Sequence, residues 1–155
     1  MVLSENLNPL NILVNVEAKS RWDLIKEMVS QGEANSIIPK GSGDDIAKAL
    51  IDREKSMSTG IGKGVAIPHC TVANVDDIIV LMATNEKGIN FDAIDSLPVK
   101  IVVMLLVPKT KLTQHIKTLA NIAKIMSDEV FKEKLLSFAK ADEIINFIKS
   151  YESGK

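Results

Sequence analysis

Reactive side chains are few in this sequence, and most of them are grouped. There are two histidines, His69 and His115, and one cysteine, Cys70. His69 follows Pro68, and three glycines stand upstream at alternate positions, Gly60, Gly62 and Gly64. Glycine lets a backbone approach a bound group closely and take positive φ. Consecutive N–H groups in such a loop can cradle an anion. A neutral imidazole beside the loop is a nucleophile near neutral pH, so His69 could accept a phosphoryl group. The competing reading is a tight turn with an incidental surface histidine.

Two more residues fit that chemistry. His115 falls in the first turn of an expected helix opened by Thr113, where the dipole disfavours imidazolium and favours anions. A neutral His115 could donate a hydrogen bond to a phosphoryl oxygen; alone it reads as an exposed helix-start histidine. Arg53 ends an expected helix just before the glycine loop, and its planar fork suits a phosphate. Alone it reads as a solvated residue at a helix C-terminus.

Other chemistries find less support. A phosphate-binding P-loop ending at Gly62-Lys63 would need Gly at 57 and Ser or Thr at 64, where the chain has Met and Gly. A dinucleotide fingerprint fails at Val65 or Ile67, depending on the starting glycine. ATP and NAD are therefore not expected, and no cofactor is. One cysteine and two histidines without local ligand spacing leave no metal site expected. Cys70 reads as a packed or idle thiol, although its place beside His69 leaves nucleophilic chemistry open. No Gly-x-Ser-x-Gly elbow is present.

The elements that must position these residues alternate between strand and helix. Ile12–Val16, Val65–Ile67, Ile78–Thr84 and Val99–Val107 read as strands. Asn85–Gly88 reads as a turn and Ser58–Gly64 as a glycine-dense loop. Helices are expected from Ser20 to a stop at Gly32, from Asp44 to about Arg53 and Glu54, and from Thr113. Two more are expected from Ser127-Asp128 and over Ala141–Tyr151. The Thr113 helix would bury Ile116, Leu119, Ala120, Ala123 and Met126. The Ser127-Asp128 helix would bury Val130, Phe131, Leu135 and Leu136. The sum is an α/β single domain over residues 1–155, a mixed β-sheet flanked by helices on both sides.

Lys plus Arg number 19 and Asp plus Glu 20, so the net charge of −1 argues against a nucleic-acid partner. The longest apolar run, Ile101–Val107, closes at Pro108, far short of the roughly 20 residues of a membrane-spanning helix. The N-terminus lacks a basic stretch leading into an apolar one, so no export signal or membrane insertion is expected and the location expected is cytoplasmic.

The stretch from Arg53-Glu54-Lys55 through Ser58-Thr59-Gly60-Ile61-Gly62-Lys63-Gly64-Val65-Ala66-Ile67-Pro68-His69 resembles the active-site signature of the fructose/mannitol-type enzyme IIA domains. These belong to the bacterial phosphoenolpyruvate-dependent phosphotransferase system. Phe91–Asp95, Pro98-Val99 and Leu105–Pro108 resemble the family's central strand region, and His115-Ile116 with Leu119-Ala120 its second-histidine helix. The resemblance implies that His69 carries the phosphoryl group, that His115 supports it, and that Arg53 lies beside it. It implies stabilisation by loop N–H groups of Gly60, Gly62 and Gly64 and by the Ser58 or Thr59 hydroxyl. It also implies a donor, HPr or its nitrogen-branch relative, and a shallow apolar docking patch, with Met57, Ile61 and Val65 as candidates. The downstream partner would be a regulatory target, as in the nitrogen-regulatory (PtsN) branch that the chain most resembles, or an enzyme IIB in sugar uptake. Two positions depart from the family pattern: Cys70 replaces the usual Gly, and Ser96 stands where Gly or Asn is common.

Overall fold

The computed structural model describes residues 3–154; residues 1, 2 and 155 of the expected domain lie outside the described residues. One six-stranded mixed sheet organises the chain. Its antiparallel centre is β5, Ile79–Ile89, against β6, Val99–Pro108. β1, Ile12–Leu13, pairs parallel with β5. On the other side of β6, β3 (Val65–Ala66) and β4 (His69–Val72) pair parallel with it, one after the other. β2, Gly60–Gly62, runs antiparallel to β3.

Side-chain alternation along β6 explains why helices cover both faces. Ile101, Val103, Leu105 and Val107 enter one core with Ile122, Phe131, Ile144 and Ile148. These last four come from α3 (Leu112–Ile125), α4 (Glu129–Leu136) and α5 (Ala141–Ser153). Val102, Met104 and Leu106 enter the opposite core with Leu24, Met28, Ile46 and Leu50. Those come from α1 (Arg21–Ala34) and α2 (Gly43–Ser56). The doubly covered sheet is the expected architecture. Ser20 caps α1 by accepting from Asp23 N at 3.2 Å, and Asp128 caps α4 by accepting from Phe131 N at 3.1 Å.

Several elements differ from expectation. β1 is two residues long because Asn15 turns to φ 48° and Thr84 Oγ1 takes its N–H. Gly32 does not end α1: it lies inside the helix, where a Cβ would fall 2.9 Å from Ile38 Cδ1, so the missing side chain admits Ile38. α2 continues to Ser56. Asn85–Gly88 is no turn but part of β5, whose pairing shifts register between Thr84 and Ile89. Gly88 at φ 84° and its N–H to Asn85 Oδ1 (2.6 Å) put turn chemistry into a bulge.

The helix faces also turn. α3 buries Thr118, Ile122 and Ile125, while Ile116 is 68% exposed and Ala120 is exposed. Thr118 tolerates the core because its hydroxyl donates to Gln114 O at 2.9 Å. No side chain caps α3, which starts at Leu112 rather than being capped by Thr113. In α4, Phe131 and Leu135 are buried but Val130 is exposed.

Candidate active site

The Ser58–Gly64 stretch, expected as a loop, includes the strand β2 at Gly60–Gly62. It leads into the β2–β3 hairpin, whose tip places Gly62, Lys63 and Gly64 at φ 95°, 56° and 82°. The glycines serve this reversal. Lys63 N donates to Asp95 Oδ2 at 2.7 Å, so the chain's own carboxylate occupies the tip. Gly60 packs under Ala93, and Gly64 O accepts from Lys100 N and Ile101 N. Ser58 Oγ donates to Phe91 O, and Thr59 Oγ1 donates to Glu54 Oε1. The Ser58 and Thr59 hydroxyls are thus engaged locally, and Ser58, Thr59, Gly60, Gly62 and Gly64 are not among the residues lining the cleft at His69.

The hairpin instead positions His69 indirectly. Pro68 has no N–H and interrupts the strand running alongside β6, so β3 and β4 are separate segments. Ile67 N is held by Thr59 O at 3.0 Å and Pro68 O by Leu105 N at 2.9 Å. The Ile67 carbonyl is thereby turned to His69, whose Nδ1 lies 2.7 Å from it. A carbonyl only accepts, so Nδ1 carries the proton and Nε2 keeps its lone pair.

Beneath this lies a buried ion pair the sequence reading did not single out. Glu54, 2% exposed, accepts from Arg21 Nη1 (3.1 Å), Thr59 N (3.0 Å) and the Thr59 hydroxyl. Arg21 also donates to Phe91 O at 2.6 Å. Hydrogen bonds therefore run from Arg21 through Glu54, Thr59 and Ile67 to the His69 ring. No local pattern signals this, because Arg21, Glu54 and Phe91 lie far apart in sequence.

His69 opens β4 at the sheet edge, with α2 approaching from one face and α3 from the other. A cleft of about 340 Å³ results, lined by Ala49, Arg53, His69, Cys70, Thr71, Val107 and His115. The structure thus brings Arg53, His69 and His115 together. Arg53 is steadied by Nη1 donating to Met57 O at 2.9 Å. The two imidazoles lie with centroids 5.0 Å apart, and His115 Nδ1 is buried without a hydrogen-bond partner. An orphaned ring N–H is costlier than a bare lone pair, which favours a proton on His115 Nε2.

Burial pushes the His69 pKa down; the Ile67 carbonyl opposes this, the Arg53 charge adds to it, and Glu54 opposes it. Burial, then His69, push His115 down. Both shifts favour the neutral form of each ring. Cys70 faces the opposite core, and burial pushes its thiol up to about 11, so it is no thiolate. Of the expected docking residues, Met57 (69%) and Ile61 (45%) are exposed but Val65 is buried, its side chain facing the core. Leu112 and Ile116, on the outward face of α3 near His115, are exposed apolar residues the sequence reading had not assigned to docking. Among the described residues, no helix is long and apolar enough to cross a membrane.

Residues 5–151 match the family described as phosphoenolpyruvate-dependent sugar phosphotransferase system, EIIA 2. The chain belongs to this family. The EIIA chain is 28% identical over 153 residues to a nitrogen regulatory protein of Pseudomonas aeruginosa, covering 99% of this chain and 98% of that one. It is 27% identical over 153 residues to the fructose-specific EIIABC component of Bacillus subtilis, covering 98% of this chain but only 24% of that longer protein. The crystal structure of nitrogen regulatory protein IIA-Ntr from Neisseria meningitidis superposes with a TM-score of 0.85 at 30% identity, over 96% of this chain and 99% of that one. The EIIA chain is thus similar to both nitrogen-regulatory and sugar-specific relatives.

Proposed function

We propose that this EIIA chain, working as one domain over residues 1–155, accepts a phosphoryl group on His69 Nε2 from a phosphohistidine of HPr or its nitrogen-branch relative. The observation that carries this reading is the 2.7 Å contact of Nδ1 with Ile67 O, which leaves Nε2 as the nucleophile. The Nε2 lone pair forms the new N–P bond as the donor's N–P bond breaks and its electron pair returns to the donor ring. His69 keeps its Nδ1 proton, and the Ile67 carbonyl stabilises the positive charge the ring gains. Arg53 and His115 stabilise the transferring oxygens, in a reaction governed by positioning and charge. No metal or cofactor is required. The phosphoryl charge then changes the surface a partner meets.

A regulatory role is the reading we favour, with a target protein downstream in the cytoplasm. The nitrogen-regulatory relatives from Pseudomonas aeruginosa and Neisseria meningitidis, matched over 98% and 99% of their lengths, support it. The fructose-specific relative supports the alternative, transfer to an enzyme IIB in sugar uptake.

The test is the intact mass after mixing with phosphoenolpyruvate, enzyme I and HPr, with His69→Ala in parallel. One acid-labile phosphoryl group on wild type alone is expected. Label on His69→Ala would overturn the assignment. Adding a fructose-type enzyme IIB then separates the two roles: rapid loss of the label to IIB indicates transport, and retention indicates regulation.

A further inference from the structure

We infer that the Thr71 hydroxyl is a third ligand of the transferring phosphoryl group, beside Arg53 and His115. The inference rests on the proposed role of His69 and adds a binding residue to the same site.

Strand geometry supplies the first argument. Alternate residues of a strand share a face, with Cα atoms about 6.6 Å apart at i and i+2. His69 is in register with Leu105 and Thr71 with Val107, and both of these β6 residues point into the core beneath α3. Thr71 therefore presents its side chain on the same face of β4 as His69, and both residues line the cleft that His115 also lines. Cys70, between them, faces the other core.

The second argument is a count of donors. Of the residues lining the cleft, Ala49 and Val107 are apolar walls and Cys70 is a weak donor. Arg53, His115 and Thr71 remain. Thr71 is exposed, and its hydroxyl has no partner among the described residues. Ser58 and Thr59, the hydroxyls the sequence favoured, are bonded to Phe91 O and to Glu54. Thr71 is the one hydroxyl in the cleft free to follow a phosphoryl oxygen, and donors aimed at the equatorial oxygens are what such a transfer requires.

Thr71→Val removes the hydroxyl but keeps a β-branched side chain suited to the strand. Thr71→Ser keeps the hydroxyl. Each is compared with wild type for single-turnover phosphorylation by phospho-HPr at saturating carrier, and for the ³¹P resonance of the phosphohistidine. Melting curves verify the fold of both variants. We expect Thr71→Val to slow transfer at saturation about tenfold and to move the ³¹P resonance, with Thr71→Ser restoring both. Two results would overturn the inference: Thr71→Val matching wild type in saturating rate and resonance, or Thr71→Ser failing as badly as Thr71→Val. A residue that merely helps the carrier dock would raise the carrier concentration needed and leave both readouts unchanged. Wild type that takes no label from an active donor would overturn the His69 assignment itself, and this inference with it.

Discussion

The imidazoles of His69 and His115 face each other with centroids 5.0 Å apart and planes inclined at 50°. Two positive charges at that separation repel, and burial already disfavours each of them. The arrangement of the pair therefore favours two neutral rings.

A pH dependence follows. Both pKa values lie below the ordinary 6.5, so phosphoryl acceptance should hold its plateau as pH falls past 6.5 and decline only at lower pH. Ring ¹⁵N shifts followed through a titration check this; a midpoint at or above 6.5 for His69 contradicts it. Stability carries the same sign. As pH falls the unfolded chain takes up these protons first, so the stability present above 6.5 is lost through the folded pKa values. Denaturant midpoints should drop between pH 7.5 and 5.5, and drop less when both histidines are replaced by Gln.

Arg53→Lys should not rescue function. The guanidinium spends one N–H on Met57 O and keeps others for the cleft, whereas an ammonium offers a point charge without the fork. Transfer from phospho-HPr should slow about tenfold, the scale of one charge-assisted hydrogen bond. Stopped-flow or quench kinetics at wild-type speed would contradict this.

Glu54→Ala removes one partner of a buried pair and strands Arg21 and the Thr59 N–H. The expected loss is about 3–5 kcal/mol by denaturant unfolding. A loss below about 1 kcal/mol, the scale of an exposed pair, would show that water reaches Arg21 and that the network does not hold the Ile67 carbonyl in place.

The glycines of the signature should separate by cause. A Cβ at Gly60 would fall 2.8 Å from Ala93 Cβ, so Gly60→Ala should cost about 1–3 kcal/mol through overpacking. At Gly64 only Pro98 O lies near, at 3.7 Å, and the conformation, φ +82°, sets a cost of about 1–2 kcal/mol. If Gly60→Ala proves neutral in thermal melts, Ala93 yields more readily than the packing implies.

What the sequence made legible was what repeats or has a fixed local register. The run Val99–Val107 declares a strand covered on both sides, and His69 stands out by its fixed distance from Pro68 and the glycines. Asn85 and Gly88 carry turn chemistry, yet the pull of β6 on residues before and after them keeps the strand going and leaves only a bulge. The glycines imply tight backbone but not which anion fills it, and Asp95 lies too far along the chain to be read from the motif. α3 has apolar residues on two sides, and only the packed structure shows that Ile116 faces outward. Thr71 was recoverable, since strand alternation from His69 reaches it; the Glu54 ion pair was not, because Arg21 meets it only in three dimensions.

The two termini of the fold are also bound to each other. Glu152, near the end of α5, accepts from Leu3 N at 2.7 Å and Ser4 N at 3.0 Å. The described backbone thus starts and finishes at one clasp between its first 3-10 turn and α5. Ends held in this way can be joined by a short linker and the chain reopened at an exposed loop without disturbing the order of the strands. A circular permutant opened at Gly41, where the backbone has nothing within 4 Å of a notional Cβ, should keep the cleft and its two imidazoles intact.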